Sequence, residues 1–158
     1  MRPFRRLATA LAFAVVATAA SAADPTSNWS SGSGDKLTAA RTKVSAKDWS
    51  GALDELRKVD DKSSADWNNL MGYSLRKADP ARNVAEAERH YDQALRIDPK
   101  HRGALEYSGE LHLMSGNLPM AERRLAALDQ ACFLPCEEYR DLKRAVERYR
   151  ANGNKYVP

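Results

Sequence analysis

Ala52, Ala87 and Ala121 occupy the same place in three successive amphipathic segments, and so do Leu56, Tyr91 and Leu125, and then Val59, Ala94 and Leu128. Every set recurs at the same stride, with the second step one position shorter than the first. From Asp35 onward apolar residues recur at helical spacing, and polar breaks divide the chain into paired helices joined by short turns. The pattern predicts helices over 36–45 and 49–59 in a first unit, 65–78 and 84–97 in a second, and 101–115 and 118–130 in a third. A last helix is expected from Cys136 or Glu137 to Ala151, with Tyr139, Leu142, Val146 and Tyr149 on one stripe and Arg140, Lys143, Arg144, Glu147 and Arg148 opposite. A polar outer face of this kind suits the terminal cap of a stack of repeats. The fold class expected is all-α.

The breaks have identifiable causes. Asp98-Pro99 stops the second unit because proline lacks an amide hydrogen and disfavours helical geometry in the residue before it. Gly116-Asn117 turns the third unit, and residues 79–83 turn the second. Small residues recur in the first helices at Ala40, Gly72 and Gly109. Ala40 to Ala52 and Gly109 to Ala121 are equal separations, whereas Gly72 to Ala87 is longer by three, so the middle turn carries three extra residues. A glycine inside a helix costs about 1 kcal/mol relative to alanine, so Gly72 and Gly109 predict close helix crossings.

This spacing of small, large and proline positions resembles the tetratricopeptide repeat family. The resemblance covers residues 35 to about 130, and the cap extends it to 151. It rests on Gly72, Ala87, Tyr91, Ala94 and Pro99 in the second unit and on Gly109, Gly116, Ala121, Leu125 and Leu128 in the third. Ala40, Ala52, Leu56 and Val59 match in the first, whereas Lys36 and Lys43 stand where the family places bulky apolar groups. The resemblance implies a right-handed α-solenoid of about three helix-turn-helix repeats plus a C-terminal capping helix. It also implies a concave groove, lined by the first helices, that accepts an extended or helical peptide. Carried onto this chain, the groove positions are Arg41 and Val44, then Asn69, Tyr73 and Arg76, then Glu106, Glu110 and Leu113. Such a mixture suits a polar segment bearing both charges. Glu106 and Glu110 reverse the charge that capture of a terminal carboxylate requires. The plainer alternative is an ordinary solvated helix face.

The first residues change the charge picture. Arg2, Arg5 and Arg6 precede an apolar run over 7–20 and a small-residue site at Ala20-Ser21-Ala22, the layout of a cleaved export signal. The run falls short of the roughly 20 residues that a bilayer span needs. Residues 1–22 are therefore expected to be removed, 23–34 to form a polar flexible leader, 35–151 to form the domain and 152–158 a tail. The protein is expected outside the cytoplasm, in the bacterial periplasm or an equivalent compartment, with no stable membrane insertion of the mature chain. The whole chain carries 25 basic and 21 acidic residues, and the signal holds three of the former and none of the latter. A mature charge of +1 follows, which removes the concentrated positive field that nucleic-acid binding needs.

Cys132 and Cys136 are the only cysteines, and an even count in an exported chain points to an oxidised pair. Four residues apart at the start of the cap, they can meet the Cα separation of about 4.4–6.8 Å that a disulfide tolerates. A thiol redox pair or a copper site completed by Met114, Met120 or His112 is the alternative. His90, His101 and His112 recur at even intervals but lack zinc-ligand spacing, so no metal is assigned. No nucleophilic triad and no phosphate-cradling glycine loop is present. The expected function is a non-enzymatic scaffold or adaptor, without a cofactor, that binds a protein or peptide as a monomer. Self-association through the exposed end of the first unit is a third reading.

Overall fold

The computed structural model describes residues 35–157. The expected export signal and leader lie outside the described residues. Seven α-helices follow in order: α1 (Thr38–Ser45), α2 (Trp49–Val59), α3 (Ala65–Ala78), α4 (Val84–Ile97), α5 (Arg102–Met114), α6 (Leu118–Ala131) and α7 (Glu137–Ala151). Among the described residues there is no strand.

Caps set the helix boundaries. Asp35 delays α1 by two residues relative to the apolar pattern, because its carboxylate accepts the Leu37 amide at 2.9 Å and its carbonyl the Thr38 amide at 3.1 Å. Asp48 accepts the Gly51 amide, Ser64 the Trp67 amide and Asn117 the Met120 amide, satisfying donors that the first turn leaves orphaned. The apolar pattern placed His101 and Ser115 inside the fifth helix, yet both are its caps. His101 accepts the Ala104 amide through Nδ1 at 3.1 Å.

Each helix packs on the next, α1, α3, α5 and α7 also approach backbone to backbone in succession, and α4 and α6 meet through the Arg124–Asp92 ion pair at 3.0 Å. The odd-numbered helices therefore share one side of the molecule. Two apolar clusters run along it. The first joins α1 to α4 and includes Tyr107 and Leu111 of α5, and the second joins α5, α6 and α7. Leu56 and Tyr91, equivalent positions of the repeat, are fully buried in the first cluster, each contributing about 1.5–3 kcal/mol by burial. Trp67 seals the first join by donating its indole N–H to the Leu56 carbonyl at 2.8 Å.

Gly72 and Gly109 prove not to be equivalent. A Cβ on Gly72 would stand 2.9 Å from the Tyr91 ring and 3.0 Å from the Ala87 carbonyl, so this glycine lets α3 meet α4 within one hairpin. A Cβ on Gly109 would stand 2.5 Å from Leu142, so here the close neighbour is α7. The two glycines are separated by three positions more than the later stride of the repeat, which turns Gly109 about 60° around its helix.

Cys132 and Cys136 stand at disulfide distance in the link to α7, with sulfurs 2.10 Å apart and Cα atoms 5.8 Å apart. Between them Phe133 and Leu134 project into solvent, Phe133 with its full surface exposed at 101%. Beyond α7 the chain reverses through Gly153 and Asn154, both left-handed at φ 66° and 61°. Their amides donate to the carbonyls of Arg150 and Tyr149, and the turn brings Tyr156 back onto the second cluster. No helix of the described residues is long and apolar enough to cross a membrane.

Candidate functional site

Helices α3, α5 and α7 and the returning tail border a partly open cavity of about 250 Å³. Helix α3 supplies Tyr73, Arg76 and Lys77, and α5 supplies Glu106, Tyr107 and Glu110. The third wall is Asp141, Arg144 and Arg148 of α7, and Tyr156 closes one edge.

Repeat geometry accounts for the central contacts. Tyr73 and Tyr107 are separated by one stride of the repeat, as are Arg76 and Glu110, so each pair occupies one position in neighbouring units. The tyrosine rings pack with centroids 4.6 Å apart, and Trp49 meets Tyr73 edge-on at 5.9 Å. Arg76, 3% exposed, lies 5.7 Å from the centroids of both Tyr73 and Tyr107. Its Nη2 forms an ion pair with Glu110 Oε2 at 2.8 Å, but the N–H vectors miss the carboxylate, so Nε and Nη2 have no aligned acceptor. Burial works against the charge of Arg76, yet the neighbouring Tyr91 and Glu110 more than offset it and hold the guanidinium protonated. Burial likewise pushes the Tyr91 phenol up, against the pull of Arg76.

Glu106 is different in kind. At 5% exposure it borders the cavity with no hydrogen bond or ion pair to any described residue. Burial first, then the carboxylates of Glu110, Asp141 and Glu138, raise its pKa well above the ordinary glutamate range, and Arg76 only partly opposes them. Asp141 pairs with Arg144, and Glu138 faces Arg102 at 3.7 Å. Two ion pairs around the cavity are thus matched, which leaves Glu106 inside and Lys77 and Arg148 outside them. Lys77, 5.5 Å from the Tyr73 centroid, and Arg148 stand at the exposed rim.

The groove positions expected from the sequence divide into three groups. Tyr73, Arg76, Glu106 and Glu110 converge on the cavity. Val44 and Leu113 instead lie in the first and second apolar clusters, because α1 and α5 are covered on more than one face. Arg41 is engaged with Asp35 at 3.1 Å and Asp66 at 3.0 Å, and Asn69 is buried where Gly103 allows its amide to approach the start of α5. Asp66 also accepts from His101 Nε2 at 2.9 Å, so one carboxylate ties together α1, α3 and the cap of α5. Because Nδ1 of His101 accepts from Ala104, its ring proton sits on Nε2.

Tyr107, Lys77, Tyr156 and the α7 residues were absent from the expected groove. Stepping one repeat stride on from Tyr73 would have found Tyr107, and the Gly153-Asn154 turn signal points to the reversal that returns Tyr156. A second, more open cavity of about 310 Å³ is bordered by Lys62, Asn68, Glu86, Arg89, His90 and Gln93. His90 hydrogen-bonds Asn68 there at 3.1 Å, and burial lowers its pKa. His112 is buried near Glu88, and Met114 Sδ lies 3.8 Å from Arg76 Nη1. No group of three or more His, Cys, Asp or Glu among the described residues is placed to hold a metal ion.

No protein family model, no curated protein and no solved structure matches this chain.

Proposed function

We propose that the protein is an exported, monomeric α-solenoid of tetratricopeptide-like repeats that binds a protein or peptide segment along the side shared by its odd-numbered helices. The observation that carries this reading is the convergence of Tyr73, Tyr107, Arg76 and Glu110, drawn from two successive units, on one cavity at that side. Close backbone approach between successive odd-numbered helices, with α4 and α6 joined through the longer reach of the Arg124–Asp92 side chains, is what a ribbon curved toward the odd helices produces. Such a face is pre-formed, so association orders little of the chain, and affinity comes from a few aromatic and charged anchors. The module acts as a scaffold or adaptor rather than an enzyme. Its cysteine pair fixes how α7 docks, a structural role preferred over thiol exchange or copper handling because the pair closes the link into α7 while Met114, one of the three further copper ligands considered, lies against Arg76.

Selecting from a random peptide library against the purified chain, then mapping bound peptides by amide chemical shifts, tests the groove. Shifts are expected on α3, α5 and α7, and Tyr73→Ala with Lys77→Ala should weaken binding by roughly tenfold or more at unchanged helicity. Shifts confined to α2, α4 and α6 would reject it.

A further inference from the structure

The cavity has an unusual balance of charge for a protein-binding face. Arg76 already has Glu110, and Arg144 already has Asp141, so neither base needs a ligand to neutralise it. Glu106 has no such partner, although nineteen-twentieths of its surface is buried and its remaining edge borders the cavity. Its carboxyl oxygens make no hydrogen bond to the described residues and keep only the little solvent that the cavity admits, so a ligand can supply a donor there. Three tyrosines, Tyr73, Tyr107 and Tyr156, border the same space, and the rings of the first two already lie 5.7 Å from the cationic Arg76, an environment suited to positive charge. An anion placed there would meet Arg76 and Arg144 only where Glu110 and Asp141 already pair with them.

Size narrows the ligand further. At about 250 Å³ the cavity falls below the roughly 300–1,000 Å³ of pockets that hold drug-sized ligands, so it takes one long side chain. Lys77 and Arg148, exposed at the rim, are placed for a negative group near the base of that side chain.

We propose that the cavity is a subsite for a lysine-like side chain, its ammonium received by Glu106 among the three tyrosines and an adjacent carboxylate met by Lys77 and Arg148. The inference rests on the reading of this side as the binding face and names what that face recognises. It has a proton signature. Burial, Glu110 of its own helix and Asp141 and Glu138 of α7 favour the protonated form of Glu106, with Arg76 of α3 opposing. An arriving ammonium stabilises the carboxylate, so the Glu106 proton passes to solvent as the ligand binds. Affinity therefore rises with pH until Glu106 ionises without ligand.

The probe is 6-aminohexanoate, a flexible chain with an ammonium at one end and a carboxylate at the other, titrated into the full chain by calorimetry in two buffers of different ionisation enthalpy and by amide shifts. Expected are shifts around Glu106 and Tyr107, proton release on binding, and affinity roughly tenfold or more above that of hexanoate or pentylamine. Glu106→Gln should abolish both the binding and the proton release. Lys77→Ala with Arg148→Ala, two exposed positions whose loss leaves the core intact, should reduce 6-aminohexanoate to the level of pentylamine. Hexanoate binding as well as the zwitterion, or binding that survives Glu106→Gln, would overturn the proposal. Library peptides that occupy α3 and α5 without needing Glu106 overturn this inference and leave the groove standing. Glu106-dependent binding of the probe with no peptide binding supports the subsite and overturns the groove.

Discussion

Arg76 and Glu110 meet at 2.8 Å across two successive repeats, with the guanidinium almost wholly removed from solvent. The pair links α3 to α5 at the centre of the cavity, and its energetics depend on which half is removed. Glu110→Ala leaves a buried charge without its counter-ion and should cost about 3 kcal/mol. Arg76→Met combined with Glu110→Leu removes both charges at similar volume and should fall within about 1 kcal/mol of the parent. Urea unfolding with unchanged slope reads both values.

Glu106 makes stability fall as pH rises. Its folded pKa is raised, so its favourable contribution is complete below the unfolded carboxyl range near 4 and is lost as pH climbs through the folded value. Glu106→Gln should be more stable than the parent at neutral pH, and the two unfolding free energies should converge below pH ~4.

Asp66 works in the opposite direction. The hydrogen bond from His101, followed by Arg41, holds its carboxyl down at about 2 against a partial burial cost. Its contribution is present above the unfolded value near 4 and is lost as pH falls toward 2. The side chain is 54% exposed, so solvent screening limits the effect to about 1 kcal/mol. Asp66→Asn should lose that amount at neutral pH and match the parent near pH 2, as followed by thermal unfolding.

The glycines give a ranked pair. Gly72→Ala drives a methyl against the Ala87 carbonyl and the fully buried Tyr91 ring, and backbone cannot step aside. Gly109→Ala meets only the branched end of Leu142. Both gain about 1 kcal/mol of helix propensity. Overpacking should outweigh that gain by about 2 kcal/mol at Gly72 and by less at Gly109. Adding Leu142→Ala should relieve Gly109→Ala non-additively, as a double-mutant cycle measures.

Replacing Cys132 and Cys136 by serine opens a very short loop. The loop-entropy relation gives a loss of about 2 kcal/mol. Because the link leads only into α7, amide exchange should accelerate in 137–151 well before it does in α1 to α4.

Most helix boundaries were legible because they have a local cause, Asp98-Pro99, Gly116-Asn117 or an Asp or Ser cap, whereas the bounds of α1 and α5 shifted by one or two residues where Asp35 and His101 cap instead of joining the helix. The repeat stride made Leu56 and Tyr91 legible as fillers between helices. The cavity was legible only in part. Tyr73, Arg76, Glu106 and Glu110 follow from their place on the odd helices, whereas Val44 and Leu113 share those helices but face the clusters. Arg144, Arg148 and Tyr156 could not be read in advance, since their position depends on how α7 seats Leu142 against Gly109 and how the tail reverses. Those are contacts between distant segments, and no periodicity encodes them.

Phe133 and Leu134 stand clear of the domain inside the span that Cys132 and Cys136 bracket. A protease with a taste for aromatic residues can cut between them, yet with the sulfurs joined the two fragments stay tethered across the break. Nicked molecules then migrate as one species on a gel without reductant and as two with it. A cleavage that looks silent would in this way report on the oxidation state of the chain.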